Sequence, residues 1–459
     1  MNHMYINTNL KEFFGSTDSE TIQNAIDHAE KTGENQIIIP RRNERTGSNI
    51  WIIEKTIRIP SGMTVIIDNA HLCLADGVFE NIFRNKNCET EIARTLAGED
   101  HDIHIIGIGS ATLDGGSGNG LCEQLHRDEP GKHPPMTVNL LIYFHNVRNF
   151  EVKGLNVINS RWWAFAFTFC RFGKICDCDF KLYGTVENQD GIDLRVGCEY
   201  ITIENITGST GDDTIALTAL PESGWVKETS VEGKSVDIHD ITIRNIMSST
   251  HGCAIIRLLN SDGAKEYNIT MTDIKDTGLT LSGVGIFIGD TYPFAKISPR
   301  KMGEMQNIVI RNFSTCAQKA FLIAEPVQDL VIENVVTYGK NQIGIEFAAN
   351  VEFDNAEIRN FIYRPNEEDA ECLFWVRGKN VDTFKELKFE NIRAAKTKHI
   401  FRVTELDIPI HLYDKPSISY YSPENPNLYS AYGRYHRLFF GKVIENRPPD
   451  NRFADEEKK

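Results

Sequence analysis

The decisive stretch is YITIENITGST, Tyr200 to Thr210, which returns 40 residues later as DITIRNIMSST, Asp240 to Thr250. In both, β-branched residues alternate with polar ones, and an asparagine (Asn205, Asn245) precedes an aliphatic. Side chains alternate across a strand, so each copy has one apolar side to bury and cannot bury it alone. Related copies begin at Asn149 (NFEVKGLNVINS), Tyr267 (YNITMTDIKDTG), Asn307 (NIVIRNFSTC), Leu330 (LVIENVVTYG), Asn355 (NAEIRNFIYR) and Glu386 (ELKFENIRAA). Where no loop intervenes they recur every roughly 22 to 28 residues, a solenoid period. An asparagine at a fixed place in the repeat suits a tight bend, because it tolerates left-handed φ.

The copies lack the L-x-x-L-x-L pattern and the helix of a leucine-rich repeat, and they are too short for propeller blades of about 40–45 residues. The fold expected is all-β: a right-handed, single-stranded parallel β-helix with a short N-terminal capping helix, one domain over 1–459. Residues 17–40 supply that helix and the first strand. Ser19 or Asp18 caps ETIQNAIDHAEKTG, whose Ile22, Ala25, Ile26 and Ala29 share a face, and the strand QIIIP follows. The main coils are expected over 102–410, and the tyrosine- and proline-rich tail, 411–459, should pack over the last coil and shield its open edge. Two stretches interrupt the repeat, Gly115–Pro135 and Pro221–Val236, and long loops in a tight solenoid often line the binding face.

Composition narrows the function. With 41% hydrophobic residues the 459-residue chain has ample material for a core, and its formal net charge of −15 repels nucleic acid and anionic membrane. No run reaches the 18 or so apolar residues that span a bilayer. The N-terminus lacks a signal-peptide pattern, so the expected location is cytoplasmic, although a secreted mature form would look the same. Ten cysteines are scattered, and only Cys176 and Cys178 lie close together, on one strand face by simple alternation. No second Cys/His pair at zinc spacing accompanies them, so no metal site is expected.

Three segments align one beneath another: DGIDLR from Asp190, DTIALT from Asp213 and HGCAII from His251. Ile192, Ile215 and Cys253 then form one inward stack and Leu194, Leu217 and Ile255 the next, while Asp193 and Arg195 face outward. In this register Asp190, Asp213 and His251 make a ladder on three coils about 4.8 Å apart, with Asp212 beside it. Asp190 and Asp213 are 23 residues apart, one coil, and the loop 221–236 should rise beside the site. Crowded carboxylates push their pKa values apart, leaving one protonated and others ionised near neutrality. Glycoside hydrolysis needs that division between an acid and a base. An Asp-Asp pair alone would equally suit a solvated bend or a Ca²⁺ site. Three carboxylates and a histidine in register favour chemistry.

These residues resemble the family-28 glycoside hydrolases, the polygalacturonase group, whose β-helices carry N-T-D-G-x-D, D-D, G-H-G and R-I-K. Here the motifs read Asn188-Gln189-Asp190-Gly191-Ile192-Asp193, Gly211-Asp212-Asp213 and Thr250-His251-Gly252. The resemblance covers roughly Thr17 to Gly289. It implies Asp212 as general acid, Asp190 and Asp213 as holders of the attacking water, and His251 as support for the acid or the sugar, with Asn188 and Gln189 nearby. It also implies inversion, with carboxylates about 6.5–9.5 Å apart, and no cofactor. The R-I-K place reads Gly285-Ile286-Phe287, and no Lys or Arg occurs between Lys275 and Lys296. Arg195 or Arg257 is left to receive a substrate charge, so a glycan other than plain polygalacturonate is expected. Phe287, Tyr292, Trp162 and Trp163 are candidate sugar-stacking residues, with core packing the alternative for each. The expected partner is a carbohydrate, with no nucleic acid or membrane, and a homo-oligomer is left open. Two rival functions share the scaffold: a polysaccharide lyase or epimerase, which the acidic, lysine-poor site disfavours, and a non-catalytic carbohydrate binder.

Overall fold

A computed structural model describes residues 5–116, 123–290, 300–348, 351–366, 368–377, 386–395 and 397–404, and beyond these four short strands ending at Glu445. Two kinds of strand alternate along it. Short strands, among them Phe165–Thr168, Ile192–Arg195, Ile215–Ala219, Ala254–Asn260, Val284–Ile288 and Lys319–Ile323, pair in chain order into a 12-stranded sheet. Long strands such as Glu199–Thr210, Ile238–Thr250 and Glu266–Asp276 stack in a second, 19-stranded sheet. All pairings are parallel, as when each coil lies on the one before. The expected parallel β-helix is the fold found. Its rungs begin before residue 102, since Gln36–Pro40 already pairs with Thr64–Asp68.

The long strands turn two corners in each coil, one near the strand start (Tyr200, Asp240, Asn268, Asn307, Asp329 and Asn355, φ 51–56°) and a second five residues later. Asn205, Asn245, Asp273, Asn312, Asn334, Asn360 and Asn391 all have φ between 51° and 58°. Most β-branched residues would be strained there, whereas Asn and Asp enter this region more readily. The sequence led us to expect asparagine at the bend. Its side chains also bond from coil to coil: Asn334 donates to Asn312 at 3.1 Å, Asn360 to Asn334 at 3.1 Å and Asn391 to Asn360 at 2.8 Å. Asn334→Val should therefore cost about 2–3 kcal/mol, summing left-handed strain and lost amide bonds. Asn334→Gly should cost less, and urea unfolding of the two variants checks the order.

The same corner overturns one expectation. Asp177, at φ 57°, interrupts alternation between Cys176 and Cys178, so the two thiols do not share a face. Cys178 joins the main core while Cys176 lies outside it.

The N-terminal helix spans Asp18–Thr32 and ends at Gly33 in the left-handed region (φ 82°). Ile22, Ala25, Ile26 and Ala29 are buried, as their spacing required. The cap is Thr17, not Ser19 or Asp18: its hydroxyl accepts from the Glu20 amide at 3.1 Å. Asp18 and Ser19 instead fasten the helix to the first coil. Asp18 accepts from the Ile52 amide and from Arg45, and the Ser19 hydroxyl accepts from the Glu54 amide.

The expected tail over the last coil falls largely outside the described residues. Where described, Ser417–Tyr421 pairs with Leu387–Ala395 and Lys442–Glu445 pairs with Ser417–Tyr421, so these pieces extend the stack.

Candidate functional site

Along the 12-stranded sheet, alternate side chains point inward to the core and outward to a common face. One outward column runs Tyr143, Ala166, Asp193, Ala216, Arg257, Phe287 and Leu322, each opposite the next. The first two coils match the sequence register: Ile192 stacks on Ile215 and Leu194 on Leu217.

The third coil does not. Ile215 lies opposite Ile256 and Leu217 opposite Leu258, three residues further along than Cys253 and Ile255. Residues 251–253 form a bend, with Gly252 at φ 106°, before the strand opens at Ala254. His251 is consequently exposed, at the rim, its backbone N–H donating to the Thr210 carbonyl. The expected ladder of Asp190, Asp213 and His251 thus ends after its second member. The third coil brings Cys253 to Asp212 and Asp213 instead, the three donor atoms lying within 4.8 Å of one another.

Asp190 and Asp213 do occupy the same level, joined by the Gly191 N–H to the Asp213 carbonyl at 2.9 Å. Asp212 and Asp213 converge because they precede the Ile215–Ala219 strand, where alternation does not yet apply. The bend is held from several sides. Gly211 and Asp212 donate their N–H groups to the Gln189 carbonyl, and Thr210 donates its hydroxyl to the Asp212 carbonyl. Asp213 Oδ1 accepts from the Ala254 N–H at 2.9 Å.

Sequence motifs did not single out Asp193, although its outward direction and its place closing the Asn188–Asp193 motif were both legible. It is 1% exposed and neither carboxylate oxygen has a hydrogen-bond partner; one Asp190 oxygen shares that state. Burial, then the charges of Asp193, Asp212 and Asp213, hold the Asp190 carboxyl well above the usual range. Asp193 is raised likewise, chiefly by burial and against the pull of Arg195. Asp213 is pushed up to about 7 by burial and the adjacent Asp212, with Arg257 opposing. Asp212 is the half-buried member.

Two arginines flank these acids. Arg257 stands in the Asp193 column, its guanidinium 4.5 Å from the Phe287 ring centre and 3.4 Å from Asp290. Arg195 lies over the Trp163 ring at 4.5 Å and 4.0 Å from Asp193. Both are nearly buried.

Several expected sugar contacts are occupied otherwise. Gln189, 1% exposed, donates to the Ser160 carbonyl and accepts from the Thr185 N–H, so it supports the wall. Asn188 donates to Glu123, as does the Trp162 indole at 3.3 Å. Trp162 and Trp163 stack on each other at 3.8 Å within a buried cluster with Met136, Leu140 and Tyr143. Phe287 is buried among Ala254, Leu322 and Ala324. For these three rings the packing alternative holds, because none presents an open face. Tyr292 lies outside the described residues.

Both interrupting loops border this region. Glu123, in the helix Glu123–Asp128, reaches Asn188 from the first. The second packs Val226 and Val231 on Phe169 and Val196, beside the end of the Ile192–Arg195 strand. It is also held by His145, which bonds the Thr229 carbonyl at 2.8 Å.

Fold and site together define a parallel β-helix with a buried carboxylate cluster at the mouth of its strands, bordered by two loops. The model for glycosyl hydrolases family 28 matches residues 53–226, the span that contains Asp190, Asp193, Asp212 and Asp213. The resemblance seen in the motifs is therefore present in the family comparison; His251, Arg257 and Phe287 lie beyond the matched span. A probable polygalacturonase of Arabidopsis thaliana is 28% identical over 247 residues, 51% of this chain and 50% of that protein. The chain thus spans about half the length of the curated relative it matches.

Among solved structures, a Yersinia enterocolitica family 28 exopolygalacturonase superposes with TM-score 0.50 at 13% identity, covering 88% of this chain and 78% of that one. A tailspike protein of E. coli bacteriophage HK620, in complex with a pentasaccharide, gives 0.58 at 12%, covering 96% and 80%. The A-module of an Azotobacter vinelandii mannuronan C-5 epimerase gives 0.55 at 11%, covering 87% and 97%. At such identities these likenesses show the fold alone.

Proposed function

We propose that the chain is a glycoside hydrolase that cleaves an O-glycosidic bond of a polysaccharide or oligosaccharide with the aspartates Asp190, Asp212 and Asp213. The observation that carries this reading is the Asp190–Asp213 pair stacked on adjacent coils, with Asp212 beside it. Burial and mutual repulsion keep a proton within this cluster near neutrality. Asp212, the member with a side open to solvent, gives a proton to the leaving oxygen. Asp190 and Asp213 hold a water, and Asp213, whose ionised form Arg257 favours, takes its proton as its oxygen attacks the anomeric carbon. The bond from the anomeric carbon to the leaving oxygen breaks, a new bond to the water oxygen forms, and the anomer inverts.

Arg257 tunes this division, since its charge favours ionised Asp213. Arg257→Met should move the acidic limb of the kcat/KM profile upward by roughly one pH unit, measured as turnover across pH. With the R-I-K place reading Gly285-Ile286-Phe287, plain polygalacturonate should not be the preferred glycan.

The experiment is reducing-end release from a panel of plant and microbial glycans that includes polygalacturonate. Release from other glycans above polygalacturonate supports both statements. Equal release from polygalacturonate and neutral glycans would remove the substrate preference. An unsaturated, ultraviolet-absorbing product would show a lyase, and binding without release a carbohydrate-binding module.

A further inference from the structure

A second group of donors lies away from these aspartates, on the outer face of the early coils. His71 and Cys73 belong to the strand His71–Leu74. Their spacing of two puts both side chains on one face. Asp114, at the end of the strand Thr112–Asp114, pairs directly with Cys73 on the adjoining coil. Regular strand geometry alone therefore gathers an imidazole, a thiol and a carboxylate, and their donor atoms lie within 4.8 Å of one another.

We propose that His71 Nε2, Cys73 Sγ and Asp114 Oδ2 bind a divalent cation of the zinc class, with water completing the coordination. Zinc takes nitrogen, sulfur and oxygen donors together, at about 2.0–2.3 Å, in four-coordinate sites. Oδ2 already lies 2.9 Å from His71 Nε2. The other oxygen of Asp114 is fixed from outside: it accepts from Asn159 Nδ2 at 3.0 Å and from the Gly116 N–H at 2.8 Å. Such bonds orient a ligating carboxylate and leave its free oxygen aimed at the metal.

Charge and access are consistent with this. Binding releases the thiol proton, so the ligands bring two negative charges, from the thiolate and Asp114. Among the described residues Arg161 is a cation close by, and its guanidinium donates to the carbonyls of Gly115, Val78 and Ala75. His71 retains 33% side-chain exposure, which gives an ion a path in. Without a cation, burial and the Asp114 charge hold the Cys73 thiol up at about 12, the opposite of what a reactive thiolate needs.

A bound ion would clamp the coil carrying His71 to the coil carrying Asp114. Asp114 lies at the root of the interrupting loop, whose helix reaches Asn188 through Glu123.

The test uses the full chain, stripped with chelator and titrated with zinc by calorimetry and with Co²⁺ by absorption. A single zinc per chain is expected, with proton release, and the Co²⁺ form should show a thiolate charge-transfer band and four-coordinate d–d bands. Cys73→Ser should abolish the charge-transfer band. His71→Ala should weaken zinc binding by at least the roughly 10- to 100-fold that loss of an outer partner costs. Cys253→Ser, at a thiol beside Asp212 and Asp213, should leave both signals intact. Absence of zinc binding in the wild type would overturn the proposal. So would a charge-transfer band that survives Cys73→Ser and disappears in Cys253→Ser.

Discussion

Asp213→Asn is expected to lower turnover by roughly 10²–10⁴, the usual contribution of a positioned acid or base, while leaving circular dichroism unchanged. Asp190→Asn and Asp212→Asn should do the same for separate reasons. Asp190 and Asp213 stack on successive coils through the Gly191 N–H, so either amide removes one of the two carboxylates proposed to hold the attacking water. Asp212 is the more open of the neighbouring pair, and its amide cannot deliver a proton. Asn is close to Asp in size, and the Asp213 Oδ1 bond from the Ala254 N–H can be kept by an amide oxygen. The bend itself rests on the Gln189 carbonyl and Thr210, which none of the substitutions touches. Loss of fold in all three variants would make these aspartates structural residues of the bend.

The second large effect is on stability, and its sign follows from the same burial. Asp213 titrates at about 7 in the folded chain, against about 3.9 when unfolded. Between those values the folded chain keeps a proton that the unfolded chain has released. Stability from this group is therefore full below about pH 4 and falls as the pH rises through about 7. Asp190 and Asp193 shift in the same direction. So does Glu325, which burial raises to about 8 against the pull of Arg300. Glu99 and Asp114, whose pKa values are lowered by their partners, lose stability only toward acid, so the comparison belongs between pH 5 and pH 8. The melting temperature should be lower at pH 8, by an amount on the order of 1–4 kcal/mol of stability. Asp193→Asn isolates the cluster's share, because it replaces a buried carboxyl whose oxygens lack hydrogen-bond partners with a group that cannot ionise. It should raise the melting temperature at pH 8 and flatten the slope. A wild type equally stable at both pH values, with a less stable Asp193→Asn, would contradict this.

The repeat was legible because each coil must bury one apolar side, and asparagine, with aspartate at Asp177 and Asp273, marks the second corner by its tolerance of positive φ. The level of Asp190 and Asp213 was legible too. A single uninterrupted coil separates them, and two apolar stacks, Ile192–Ile215 and Leu194–Leu217, fix the register independently. The third coil misled because Cys253 and Ile255 imitate the apolar spacing of Ile256 and Leu258. Only the backbone shows that Gly252 bends and delays the strand by three residues. That delay moves His251 to the rim, Cys253 to the acid pair, and Arg257 into the column of Asp193. The aromatic residues were ambiguous for a different reason. Trp162, Trp163 and Phe287 carry composition that suits a sugar platform, and only tertiary packing shows their faces covered. Thr17 was passed over because Asp18 and Ser19 are equally good caps by residue type. Their buried bonds to the first coil place them inside the helix.

The most direct test of the hydrolase reading is reducing-end release by purified wild type and Asp212→Asn across the glycan panel, with binding of the same glycans measured for both. The account predicts release by the wild type alone and binding by both proteins. Equal release by Asp212→Asn, or tight binding by both with no release from any glycan, would contradict it.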